Sequence, residues 1–261
     1  MRDLVRRGNT APGERFSSMS VAEQEMRVDL AACYRLVAHF GLNELTYNHI
    51  SARIPGPEEE ILINSFGLLF DEVRASNLVK VDLAGTVLDD PVGNGINEAG
   101  YVIHSAVHAG CPEVACVIHT HTAAGMAVSA QKQGLLPLTQ NAMLFYEQLG
   151  YHDYEGVAIN ADERARLVRD LGNARAMILR NHGLLTAGRS IAEAFNAMMF
   201  LELACKAQLG AMTASAGLNL ATTEAAQLTA RIYRENSLSS AERDWPALRR
   251  LAERLDAGYK S

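Results

Sequence analysis

Two short fragments carry the residue types that chemistry needs. Val117-Ile118-His119-Thr120-His121 sets two imidazoles two residues apart at the end of an apolar run. On a strand, side chains two apart share a face, so both rings project together. Neutral imidazole is the common nitrogen ligand of divalent metals, and a pair on one face is part of such a site. The second fragment, Arg180-Asn181-His182-Gly183, follows the apolar Ala176–Leu179 about 60 residues further on. A His at a strand-to-turn junction beside a Gly can reach into a cleft from a rigid edge. Each fragment alone also has a structural reading: surface histidines at a strand end, or a capping or packing His. Together they offer three ligands and leave a coordination position open, the pattern of a catalytic rather than a structural metal site.

The elements that must position these residues are legible in outline. Ser20-Val21-Ala22-Glu23 matches a capping box at a helix start, and Gly41 is a natural stop. Strand-like segments follow at 50–54, 61–63 and 78–81 with 87–88, separated by Pro55-Gly56-Pro57 and Ala84-Gly85. Periodic Tyr101, Ile103 and Val107 predict a helix over Glu98–Gly110. A buried strand is expected at 114–121, a helix at 123–133, a capped helix opening at 160–163, and strands at Ala176–Leu179 and 184–187. Ser190-Ile191-Ala192-Glu193 opens a long helix to about Met212, and two further helices are expected, parted at 237–240, the last containing Trp245. Residues 1–19 read as a flexible polar arm, 20–215 as one α/β domain and 216–261 as a helical extension.

Composition excludes several classes. With 261 residues, 48% of them apolar and 21% charged, the chain can bury a sizeable core. A net charge of -6 without a basic block argues against nucleic acid. The longest apolar runs are far short of the ~20 residues needed to span a bilayer. No secretion signal is visible, so a cytoplasmic protein is expected. The 4 scattered Cys read as buried thiols rather than a disulfide framework.

The pair of His119-Thr120-His121 and Arg180-Asn181-His182-Gly183-Leu184-Leu185 resembles the class II aldolase/adducin family, whose members include fuculose-phosphate aldolase and ribulose-phosphate 4-epimerase. The resemblance covers about residues 20–215. It implies a three-layer αβα fold with a mixed, mainly antiparallel sheet of nine strands, and a homotetramer with sites between subunits. It also implies one divalent metal per subunit, zinc in the first place with manganese or iron as alternatives, on His119, His121 and His182. Substrate contacts fall on Asn48, His49, Ser65 and Gly67. A Tyr from the stretch 146–154 would approach the neighbouring subunit's site, but the match places none.

The departures from the family pattern are informative. Where sugar-phosphate members carry Gly-Asn in a phosphate loop, this chain has Asn48-His49, and a Thr-Gly pair is replaced by Phe66-Gly67. The family's Ser-Ser-Glu falls on Glu98, Ala99 and Gly100, so both phosphate-contacting serines and the proton-shuttling Glu are absent. A carboxylate facing a phosphate is repulsive, which points to a non-phosphorylated substrate. Glu98 and His104 are then the candidates for proton transfer. Glu98 has the alternative of a first-turn helix charge, His104 that of a core residue, and His108 reads as surface. His49 is a candidate for meeting a carboxylate, with a loop-bracing role as its alternative.

The expectation is therefore a metal-dependent lyase that cleaves a C–C bond next to a carbonyl in a small hydroxy- or keto-carbonyl compound, by way of an enediolate held on the metal. The alternatives are a decarboxylase using the same metal site, because CO₂ departs without prior deprotonation, and a non-catalytic adducin-like scaffold. Neither nucleic acid nor membrane is expected as a partner.

Overall fold

The computed structural model describes residues 19–156, 163–214 and 217–261, so the expected arm lies almost wholly outside the described residues, as do the first three residues of the cap expected at 160–163. Helix α1 spans Val21–His39, and the Ser20 hydroxyl accepts the Glu23 amide at 3.1 Å, as its capping residues predict. It leads into strands β1 (His49–Arg53), β2 (Glu60–Ile63), β3 (Val79–Asp82) and β4 (Val87–Asp89). Helix α2 (Glu98–Gly110) precedes β5 (Cys116–Thr120), α3 (Ala123–Ser129), α4 (Gln140–Met143) and β6 (Leu149–His152). Helix α5 (Glu163–Leu171), strands β7 (Ala176–Leu179) and β8 (Gly183–Gly188), and helices α6 (Ile191–Met212) and α7 (Thr223–Asp256) complete the chain.

The strands form one sheet of order β4-β3-β2-β1-β5-β8-β7-β6, eight strands among the described residues rather than nine. Every pairing is antiparallel except β6 with β7, so the sheet is mixed and mainly antiparallel as expected. Strand β5 sits in its middle and is buried along its whole length. A strand covered on both faces reads as a continuous apolar run, and Cys116-Val117-Ile118 is one. Cys116 and Ile118 pack with Leu36 of α1 and Met198 of α6 on one face. Val117 packs with Ile103 and Val107 of α2 and Leu167 of α5 on the other. Helices thus cover both faces, giving three layers. By the two-residue period of a strand, His119 falls on the α2 side.

Two expectations are corrected. The C-terminal segment is one helix of 34 residues, not two parted at 237–240. Ser237 does not break it because its buried hydroxyl donates to Glu193 Oε1 of α6 at 2.7 Å, bonding one helix to the other. Pro246 removes one backbone donor, but the buried indole of Trp245 holds that turn against Phe195, with ring centroids 6.1 Å apart. The helix expected over 123–133 ends at Ser129. All 4 cysteines are free and buried, as expected. No described helix is long and apolar enough to cross a membrane.

Candidate metal centre

His119 is the penultimate residue of β5, and His121 lies just beyond its end. His182 comes from the turn between β7 and β8, the strands that continue the sheet on that side. The turn is fixed from several directions. Asn181 adopts φ 56, the left-handed conformation that Asn tolerates better than most residues. The Arg180 amide donates to His152 O at 2.8 Å, and its guanidinium lies over the Tyr151 ring, 4.4 Å from the centroid. The His182 amide donates to Leu179 O at 3.1 Å. Gly183 is required where it stands, because a Cβ there would lie 2.3 Å from Thr120 O.

The three rings converge. His121 Nε2 lies 2.8 Å from His119 Nε2 and 2.9 Å from His182 Nε2, and one nitrogen from each residue fits within a 4.8 Å span. His119 Nδ1 faces Leu184 O at 2.9 Å, and His121 Nδ1 faces a Glu44 carboxylate oxygen at 2.9 Å. A carbonyl and a carboxylate can only accept, so both Nδ1 atoms carry a proton, and in the neutral, ligating form of the rings both Nε2 atoms present lone pairs. Two such lone pairs 2.8 Å apart repel unless a cation lies between them. Backing of each ligand His by an acceptor is also how metal sites fix imidazole tautomers. The residues present therefore fit a divalent metal. Burial, followed by the neighbouring His121, lowers the His182 pKa to about 4 and that of His119 well below its usual value, keeping both rings in the neutral, ligating form.

Nothing in the sequence singled out Glu44. It lies in the turn after α1, where Asn48 Oδ1 accepts its backbone amide, and no periodic pattern marks it. The requirement for an acceptor behind a ligand His was the available clue. Replacing Glu44 with Ala is expected to weaken zinc binding by about 10–100-fold, measured by competition with a chelator. Unchanged affinity would remove Glu44 from the site.

The triad opens into a cavity of about 330 Å³, whose walls include His49, Gly100, Ile103, Met126 and Tyr154. His49 is the first residue of β1, not a loop residue, and pairs in register with His119. Asn48 and Ser65 are buried, and Asn48 Nδ2 and Ser65 Oγ have no hydrogen-bond partner, but neither residue is among those that line the cavity. Gly67 sits in an exposed turn at φ 85. Glu98 is exposed at the start of α2 and is not part of the cavity wall. Tyr154, from the stretch that the resemblance directs to a neighbouring subunit, stands at this chain's own triad, with its ring centroid 6.3 Å from that of His182.

Behind His49 runs a buried string of polar groups. The His49 and His104 rings meet edge to face at 5.9 Å, and Ser51 Oγ bridges His104 Nδ1 at 2.6 Å and His108 Nε2 at 2.8 Å. His108 is buried, not on the surface as expected, because residues 104 and 108 share the face of α2 turned to the sheet. Burial lowers His49 to about 4, and burial with the nearby Arg53 charge lowers His108 to about 3. The unfolded chain takes up these protons below pH ~6.5 while the folded one resists. The neutral rings' stability is therefore fully present above that pH and is lost as pH falls towards the folded values. At pH 5 each ring should cost about 2 kcal/mol. Urea unfolding of metal-free protein at pH 7 and pH 5 should show that loss, and His108→Gln should reduce it by one ring's share, about 2 kcal/mol. A pH-independent stability would contradict the assignment.

With the geometry in place, comparison with known proteins decides the lineage. Residues 28–209 match the family model described as the class II aldolase and adducin N-terminal domain. The chain belongs to the class II aldolase/adducin family. A Pseudomonas aeruginosa protein named "putative aldolase class 2 protein" is 48% identical over 97% of this chain and 98% of its own. Alpha-adducin of Rattus norvegicus is 44% identical over 75% of this chain, which corresponds to 27% of the adducin. The solved L-fuculose 1-phosphate aldolase of Glaciozyma antarctica superposes with a TM-score of 0.80 at 26% identity, covering 98% of this chain and 96% of that one. The class II aldolase fold expected from the two His fragments is thus confirmed, and aldolase-type chemistry is consistent with the family.

Proposed function

We propose that the protein is a metal-dependent lyase that cleaves a C–C bond next to a carbonyl in a small, non-phosphorylated hydroxy- or keto-carbonyl compound. The observation that carries this reading is the convergence of three imidazole nitrogens, two of them with lone pairs committed inward by Leu184 O and Glu44. His119, His121 and His182 would hold one divalent ion, zinc in the first place. When bound it would supply a Lewis acid that polarises a carbonyl, worth several kcal/mol of barrier. The chain's own residues shape the rest. Ile103 and Met126 give the cavity apolar walls, and Tyr154 stands beside His182. No Lys or Arg is among the described residues lining it, which supports a substrate without phosphate. The half-exposed Tyr47 and Tyr154 at this cavity suit a site completed at a subunit interface of a homotetramer.

A second reading, decarboxylation of a keto or hydroxy acid, is favoured by the lack of any carboxylate among the described cavity residues, since loss of CO₂ needs no base. The test is a panel of hydroxy ketones, 2-keto acids and hydroxy acids offered to zinc-loaded protein, with aldehyde and CO₂ release followed separately. Aldehyde release supports the lyase reading, and CO₂ release alone favours the decarboxylase. Neither product, from protein that also binds no zinc, contradicts both and leaves an adducin-like scaffold.

A further inference from the structure

Making or breaking a C–C bond beside a carbonyl by the aldolase route requires a group that exchanges a proton with the substrate carbon. Among the described residues lining the cavity, beyond the triad, the groups with a titratable proton are Tyr47, His49 and Tyr154. Both tyrosines are more than half exposed, whereas His49 is 3% exposed. Neither His49 Nδ1 nor His49 Nε2 has a hydrogen-bond partner. A buried polar group left unpaired costs about 1–3 kcal/mol, and native proteins keep few of them without a reason. A side chain at position 100 would collide with this ring. A Cβ there would lie 2.3 Å from His49 Cε1 and 2.5 Å from His49 Nδ1. The imidazole of β1 thus fills the volume that any side chain at that place on α2 would occupy. Glycine is what allows it to line the cavity. His104 packs against its edge and is itself held by Ser51 Oγ, so the ring is braced from behind.

We infer that His49 is the catalytic residue that exchanges the substrate's proton, with Gly100 making room for it and His104 positioning it. The inference rests on the lyase reading. In the step, a lone pair on the His49 ring takes the hydrogen on the carbon next to the carbonyl as a proton. The electron pair of the broken C–H bond becomes the C=C bond of an enolate, and the carbonyl π pair moves onto oxygen. The imidazolium then returns its proton to carbon, so the ring ends as it began and no other reactant is consumed.

The test follows hydrogen exchange. Zinc-loaded full-length protein in D₂O should exchange the C–H hydrogens beside the carbonyl of hydroxyacetone, read by proton NMR. His49→Gln should slow that exchange by about 10²-fold or more while zinc stoichiometry and unfolding temperature are kept. Gly100→Ala should slow it comparably by pushing the ring aside, and it carries the comparison if His49→Gln does not fold. Exchange at the wild-type rate in His49→Gln overturns the inference and spares the lyase reading. A zinc-loaded wild type that exchanges nothing overturns the lyase reading, and the inference falls with it. A readout independent of turnover is alkylation by bromopyruvate, located by peptide mass spectrometry. Modification at His49 is expected in the zinc-loaded protein, and a wild type left unmodified at His49 contradicts its access to the cavity.

Discussion

Substituting His182 with Ala should lower the affinity for zinc by about 10²–10³-fold. Structural zinc sites with four ligands bind with about 10–16 kcal/mol, roughly 2.5–4 kcal/mol per ligand, and each 1.4 kcal/mol is a factor of ten. His182 is one of three ligands here, and its nitrogen lies 2.9 Å from that of His121. Its turn is pinned by bonds from Arg180 and Asn181 to His152 O and Ser129 O, so the ring is presented from a fixed backbone. The measurement is competition with a chromogenic chelator. His108→Gln serves as the control, because His108 bonds Ser51 rather than the triad and its loss should leave zinc affinity unchanged. If His182→Ala binds zinc as the wild type does, the three rings do not form one site.

The second large effect is expected at Gly183. Changing it to Ala sets a Cβ 2.3 Å from Thr120 O and 3.1 Å from His121 Cδ2. Thr120 pairs in register with Leu184, so the colliding atom belongs to the backbone of the adjacent strand and cannot rotate away. Relief requires β5 and β8 to move apart between two metal ligands. Such overpacking costs about 1–3 kcal/mol, which for a chain of this size lowers Tm by roughly 2–12 °C. Zinc affinity should fall at the same time, because His121 and His182 flank the collision. Gly210→Ala in α6 is the contrast. Nothing lies within 4 Å of its added Cβ, and a helical Gly gains about 0.5–1 kcal/mol from Ala. Equal Tm values for the two variants would contradict this account of Gly183.

Much of this candidate site is legible in the sequence. The two-residue period of a strand places His119 and His121 together, and the apolar run before Arg180-Asn181-His182-Gly183 marks the turn that brings the third ring. Helix α2 was readable from its periodicity and α6 from its capping box, and their observed bounds are those expected. What was hidden depended on contacts between distant segments. Glu44 acquires its role only because the turn after α1 lies beside His121, 77 residues away. His108 shares a helix face with His104, but it was read as surface because the sequence does not show that Ser51 of β1 lies beneath that face to pair with it. Strand β6 is only four residues long and pairs in parallel with β7, a partner that local sequence cannot announce. The segment 237–240 read as a break because serines favour turns, and the bond from Ser237 to Glu193 reverses that preference.

Gly100 illustrates how a departure from a family pattern gains meaning from geometry. By sequence it is an absent carboxylate. In the fold it is the space into which His49 projects. The two positions lie 51 residues apart in the chain, on α2 and β1, and only the approach of that helix to that strand couples them.

The most direct measurement is anomalous diffraction at the zinc edge from crystals of the zinc-loaded protein. One peak per chain is expected, about 2.0–2.1 Å from the Nε2 atoms of His119, His121 and His182. A peak bound elsewhere, or one held by only two of these rings with His182 turned outward, would contradict the metal centre on which the proposed chemistry stands.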